Sequence, residues 1–208
     1  MNKPKFIFSS ATFFLVCLLS LTTSFAQTPA GQQSEPNYEV ILQVLIASNT
    51  AADKAVAAPQ TLSNIVKKLR TNYSFSNYRL TSTYFQRGGS RGNISSSSIS
   101  NEPNQNQDVY APIFSNLSLS GLQNMPGTNG QNSISIQQFK FGQRVPIKTA
   151  DFKDGSGKPN SVVNYEQIGL TMDRFNLPAN VPTVIGSLLT SKPDEMMFLV
   201  LTIKPVEE

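Results

Sequence analysis

The sequence predicts a β-dominated α+β fold with an N-terminal βαβ-like unit and one main amphipathic helix. Three observations carry that reading. Residues 38–47 and 196–204 are apolar on both alternating faces, as strands covered on both sides are. Between 61 and 72, Leu62, Ile65, Val66 and Leu69 follow the i, i+3, i+4, i+7 spacing of one helix face. The composition is 39% hydrophobic and only 14% charged, its polar part carried by Ser, Asn, Gln and Thr, a balance that suits exported β-rich proteins.

Residues 1–26 read as a secretory signal peptide. Lys3 and Lys5 precede the apolar run from Phe13 to Leu19, and Ser24 and Ala26 place small residues three and one positions before Gln27, so cleavage is expected after Ala26. The run is short for a membrane-spanning helix. Lipidation at Cys17 is excluded because Val16 precedes it and Leu18-Leu19 continue the apolar run. The product is therefore expected outside the cytoplasm, periplasmic or associated with the cell envelope, without a membrane span in the mature chain.

The elements follow in order. Residues 27–37 are polar, with Pro29, Gly31 and Pro36, and read as a flexible lead-in to one β-rich domain over 38–208. In the opening strand, Val40, Leu42, Val44 and Ile46 share one face while Ile41 and Leu45 make the other partly apolar, which predicts a central strand. The helix over 61–72 takes Thr61 as its N-cap and carries Lys67, Lys68 and Arg70 toward its C-terminal end, where cations favour the helix dipole. Residues 77–86 read as a strand. Strand, helix and strand would form a compact βαβ unit, its strands parallel neighbours or separated by a later strand.

Residues 88–108, with Ser95-Ser96-Ser97-Ser98 and an Asn/Gln run, offer little to a core and read as a polar, low-complexity loop or loose hairpin. Alternation resumes at Phe114, Leu117 and Leu119, then turns at Pro126-Gly127 and Asn129-Gly130. Ile134 and Ile136 alternate out of phase with Phe139 and Phe141, so a bulge between them would restore one buried face. Gly155-Ser156-Gly157 separates 142–148 from 161–175 as the tip of a hairpin. The last strand, 196–204, is expected in the sheet interior near 38–47.

The function classes narrow by exclusion. The chain has no His and no Trp, and its one Cys leaves with the leader, so thiol, imidazole and disulfide chemistry have no residues to use. Asp151 and Asp154 beside Gly155-Ser156-Gly157 lack the dense alternation of oxygen ligands that tight calcium binding needs. No Ser-x-x-Lys spacing occurs. The chain is thus read as a non-enzyme, with no cofactor and no metal. Without Lys3 and Lys5, 15 cationic residues stand against 13 acidic ones, a balance with no nucleic-acid footprint. The sequons at Asn72, Asn93 and Asn116 are expected by chance in so Ser- and Asn-rich a chain.

Three stretches, taken in order, resemble the C-terminal β-domain of bacterial secretins, the outer-membrane ring proteins of secretion and type IV pilus systems. Phe141-Gly142-Gln143-Arg144-Val145-Pro146-Ile147 is similar to that family's Gly-x-x-Val-Pro stretch, and Val163 to Met172 to its tyrosine-to-Val-Gly-x-x-Leu strand. Val181-Pro182-Thr183-Val184-Ile185-Gly186-Ser187-Leu188, followed by residues 196–205, resembles its Pro-x-x-Gly segment and closing strand. The resemblance covers under half of the mature chain, which has no room for the ring-building domains and membrane hairpins of a whole secretin. It implies a small exported assembly or interaction module that self-associates or docks on a protein partner through strand edges and the turn holding Val181, Pro182, Val184, Ile185 and Leu188. A second reading is a monomeric exported binding domain for a glycan or small ligand, with Tyr78 and Tyr84 on a stacking surface. Exposed Tyr78 and Tyr84 would favour binding; an apolar patch including Val184 and Ile185 would favour assembly.

Overall fold

Eight strands form two four-stranded antiparallel sheets. The computed structural model describes residues 35–50, 57–100, 112–127, 130–153, 155–157, 159–190 and 192–206; the leader and lead-in up to residue 34 lie outside them. The strands are β1 (Asn37–Ser48), β2 (Asn77–Gly89), β3 (Asn93–Ser100), β4 (Ile113–Met125), β5 (Ser133–Lys153), β6 (Pro159–Pro178), β7 (Thr183–Leu189) and β8 (Glu195–Val206). Sheet A has the order β2-β1-β8-β7 and sheet B the order β3-β4-β5-β6. One helix, α1 (Ser63–Asn72), follows a 3-10 turn at Gln60–Leu62.

The fold is therefore mostly β, and the α+β expectation is corrected. The strands β1 and β2 pair antiparallel along their whole length, from Asn37 opposite Gly89 to Ser48 opposite Asn77. The segment between them leaves and re-enters the sheet at the same end, so α1 makes no crossover and the βαβ unit does not exist. Nor is the helix a layer of its own. It buries Ile65 and Leu69, with Leu62 from the preceding turn, against Leu45, Ala47, Tyr78, Phe198 and Val200 on the outer face of sheet A. Thr61 is not its N-cap: Leu62 holds that position, without a side-chain cap, because the chain enters α1 through the 3-10 turn.

The main core lies between the sheets. Tyr38, Val40, Leu42, Val44 and Ile46 of β1 meet Leu199, Leu201 and Ile203 of β8, and across the gap Leu117, Leu119 and Leu122 of β4 with Ile134, Ile136, Phe139 and Phe141 of β5. The other side of β1 and β8 is the helix-covered cluster. β1 is buried on both faces from Val44 to Ser48 and β8 from Met197 to Ile203, and the two pair directly, from Asn37 opposite Val206 to Ser48 opposite Glu195, in agreement with the placement the apolar runs predict.

The phase change between Ile136 and Phe139 is present, but not as a bulge in one strand. Leu119, Phe139 and Met172 form one cross-strand row, and Leu122, Ile136 and Phe175 another, three residues apart on each strand. Leu119, Phe139, Leu122 and Ile136 are buried in the core and Phe175 packs against it. All three strands spend the same extra residue, so the register is unbroken. Gly121 and Arg174 take positive φ, 65° and 52°, at the level of Gln137. A Cβ at Gly121 would lie 2.5 Å from that of Gln137, so this position requires glycine.

The segment expected as a polar loop contains a strand. Its residues 93–100 form β3, paired with β4 from Asn93–Ser120 to Ser100–Ile113; residues 101–108 of the same expectation lie outside the described residues. Ile94 alone is buried in the core. On the solvent face Ser118 donates to Asn93 Oδ1 at 3.0 Å and Ser97 to Asn116 Oδ1 at 2.8 Å, so serine and asparagine build a cross-strand ladder there.

Phe139→Ala should cost about 3–5 kcal/mol in denaturant unfolding; a loss under about 1 kcal/mol would show that the sheets do not share this core. Burial pushes the phenols of Tyr38 and Tyr78 above their usual 10.0, so above that pH the folded state retains protons that the unfolded chain releases. Their contribution is complete below pH 10 and lost as pH rises through the raised values. Tyr38→Phe should flatten the alkaline limb of the pH–stability curve measured by denaturant unfolding.

Candidate interaction surface

The β5–β6 hairpin outruns its sheet. Pairing between β4 and β5 ends at Phe114 opposite Arg144, while β5 and β6 stay paired as far as Lys153 opposite Pro159. Among the described residues the hairpin from Val145 to Lys153 is therefore a two-stranded arm, roughly 30 Å long at about 3.4 Å per residue. At its base the core closes on a buried polar pair, Gln143 Nε2 donating to Ser115 Oγ at 3.0 Å.

The arm has two unlike faces. Residues opposite one another in an antiparallel pair share a face, so the core-facing row of Phe141 and Gln143 continues through Val145 and Ile147. A register shift between Lys148 and Ala150 leaves Thr149 as the extra residue and keeps Ala150, Phe152 and Val162 on that same face. Phe152 is 51% exposed and Val162 42%. This stripe extends the core surface past the point where sheet A covers it.

Glu166, Asn164 and Asn160 stand opposite Val145, Ile147 and Phe152 on the stripe's own face, and the opposite face carries Lys148, Asp151 and Ser161 with Pro146, Tyr165 and Val163. Lys148 Nζ lies 2.7 Å from Asp151 Oδ1, which also accepts from Ser161 Oγ at 2.6 Å. The hydrogen bond from Lys148, followed by that from Ser161, lowers the Asp151 pKa from its ordinary 3.8. At the base of this face the Arg144 guanidinium lies 5.9 Å from the ring centre of Phe114 and 5.6 Å from that of Tyr165. Those two rings meet edge-on at 5.7 Å, an arrangement that fixes where the arm leaves sheet B.

The residues singled out in the sequence are dispersed. Val184, Ile185 and Leu188 lie on β7, an edge strand rather than a turn, and all three are partly buried: Val184 packs on the helix-side cluster, Ile185 and Leu188 on the main core. A register shift between Val184 and Gly186 turns Ile185 inward. Val181 and Leu189 carry the exposure there, Leu189 at 74%, and Pro182 is half-buried between them. Tyr78 and Tyr84 are each only 7% exposed. Even spacing would put them on one face, but the register shift in the β1–β2 pair leaves Thr81 as an extra residue. Tyr78 therefore faces α1, and Tyr84 faces the main core against Phe141.

The arm was not singled out in the sequence. Its stripe changes parity at Thr149, so strict alternation separates Val145 and Ile147 from Phe152. The available signal was Phe152 itself, a large apolar residue isolated in the polar stretch 148–154. Among the described residues no group of three or more acidic, His or Cys side chains is placed to hold a metal, and no helix is long and apolar enough to cross a membrane.

No family model and no curated protein matches the chain. Solved structures similar to it are secretins. The β-barrel secretin domain of InvG from the Salmonella SPI-1 injectisome aligns with 96% of this chain and 69% of its own at 9% identity, with a TM-score of 0.37. InvG in its open gate state gives 97%, 66%, 10% and 0.35. A chain of the Klebsiella pneumoniae type II secretion outer membrane complex of PulD, PulS and PulC gives 95%, 43%, 10% and 0.34. These scores describe a distant likeness to structural components of secretion systems, and they assign neither fold nor function.

The carboxyl of Asp151 should titrate below 3.8 by NMR, and Lys148→Ala should move it upward. An unchanged Asp151 pKa in that variant would show that the ion pair is not formed in solution.

Proposed function

We propose that this chain is an exported, non-catalytic assembly module that associates with further copies of itself through the β5–β6 arm, in the setting of a bacterial secretion or pilus system. The observation that carries the reading is the arm: strand edges past Arg144 with no partner strand among the described residues, and a stripe that starts at the half-buried Val145 and Ile147 and is exposed at Ala150, Phe152 and Val162. An open strand edge recruits another strand through its backbone N–H and C=O groups. Covering large apolar side chains contributes up to roughly 1.5–3 kcal/mol each when they are fully buried. A second copy offers both features.

The export step rests on the leader ending at Ala26, and the secretion setting on the ordered likeness of three sequence stretches to secretins. The glycan- or ligand-binding alternative required Tyr78 and Tyr84 at the surface, and their burial removes its main support. The β7 segment from Val181 to Leu188 keeps a lesser part, as an edge whose exposed members are Val181 and Leu189.

Light scattering coupled to size exclusion of the protein from Gln27 onward should give a concentration-stable mass of several copies. Phe152→Asp combined with Val162→Asp should shift that mass toward one copy without changing the β-sheet circular dichroism. A monomer at all concentrations overturns the reading, and an oligomer indifferent to the double substitution moves the contact away from the arm.

A further inference from the structure

A cavity of about 520 Å³ opens beside α1 on the outer side of sheet A, a volume within the roughly 300–1,000 Å³ of small-molecule sites. Its apolar wall is built from Ala57, Pro59, Val66 and the ring of Tyr78, and its polar wall includes Ser63, Lys67 and Arg70. The wall at Ala57 is anchored to the sheet: Ala57 bridges to Arg79, and the Ala58 N–H donates to the Tyr78 carbonyl at 3.3 Å.

The cations of this cavity have no partner carboxylate among the described residues. Among the described residues the ion pairs involve Arg79, Arg91, Lys148 and Lys192, so no carboxylate neutralises Lys67 or Arg70, which lie three residues apart along one helix. Arg70 Nη2 donates to the Ser76 carbonyl at 3.3 Å, and its guanidinium lies 5.7 Å above the Tyr78 ring, which holds it at the wall with donors to spare. Tyr78 is nine-tenths buried, yet its hydroxyl has no hydrogen-bond partner among the described residues. Its oxygen is sealed from solvent, as is that of Tyr38, so the cavity meets the Tyr78 ring and not its hydroxyl.

Two cations and an apolar wall select a small anion with an apolar body. We infer that this cavity binds a carboxylate or phosphate monoester carried on an aromatic or branched aliphatic group. Lys67 and Arg70 hold the oxyanion, and Val66, Pro59 and the Tyr78 ring cover the apolar part. The helix dipole is negative toward Arg70 and opposes an anion there, but its half charge is smaller than the two full charges of the side chains. The site lies on sheet A and does not depend on the arm of sheet B or on assembly.

The exported protein would be titrated with benzoate, phenyl phosphate and inorganic phosphate at constant ionic strength, following backbone amide shifts by NMR. Saturable shifts at Ser63–Asn72 and Tyr78 are expected with benzoate or phenyl phosphate, at least about tenfold tighter than with inorganic phosphate; whichever organic probe binds tighter identifies the oxyanion. Lys67→Ala, at an exposed position, should weaken that binding about tenfold. Tyr78→Phe, which keeps the ring that forms the wall, should leave that binding within about twofold. No saturation with either organic probe by about 10 mM, equal affinity for inorganic phosphate, or affinity unchanged in Lys67→Ala overturns the inference.

Discussion

Everything in this fold depends on a pair of adjacent strands being wanted on both sides. In β1 and β8, Val44 and Leu199 point into the gap between the sheets, while Leu45, Phe198 and Val200 point out toward α1. A sheet with one wet face would need polar residues at alternate positions there. Phe198 makes the outer cover specific: Tyr73 stacks on it edge-on at 4.9 Å and Tyr78 lies 6.4 Å away. The helix is thus a lid over one end of one sheet. It lies where β1 and β8 have no polar residue to offer solvent.

The same requirement shapes sheet B in a different way. One face of sheet B meets the core along its length, yet its middle strands change parity together at Gly121, Gln137 and Arg174. Had β5 alone carried an extra residue, Phe139 would have stood opposite Ser120 instead of Leu119 and the buried faces of the two strands would no longer have matched. Because β4, β5 and β6 each absorb one, both halves of each strand bury the same face. Gln138 Nε2 then donates to Asp173 Oδ1 at 3.1 Å on the outward side, a polar contact at the level where all three strands give up an inward position.

What was legible in the sequence follows from these constraints. Strands buried on both faces announce themselves by continuous apolar runs, so β1 and β8, and their proximity, could be read directly. The helix was equally visible, because Leu62, Ile65 and Leu69 repeat at helical spacing, but spacing says nothing of the direction in which the next strand returns. That direction decided between α+β and a mostly-β fold. Strand β3 was hidden because it contributes one buried core residue, Ile94, among serines, and its stability comes from backbone pairing and a hydroxyl–amide ladder. The irregularities at Thr81, Thr149 and Ile185 hid the candidate surface. Each flips the parity of every residue beyond it, so Tyr78 and Tyr84 looked like neighbours while Ile147 and Phe152 looked unrelated.

The arm brings the physical problem of the fold to its surface. Natural edge strands are protected by charges, bulges or cover, and on the apolar face of this arm the charge is Glu166, at the base opposite Val145. Lys148 and Asp151 are spent on each other and on Ser161 across the opposite face, and the bulge at Thr149 keeps the apolar stripe in line instead of turning it away. A protective arrangement would have placed a lysine where Phe152 stands or let the parity run on so that the stripe dispersed. The face that extends the core carries Glu166 at its base, opposite Val145, and exposes Ala150, Phe152 and Val162 past the bulge, so the uncovered apolar surface of the arm lies toward its tip.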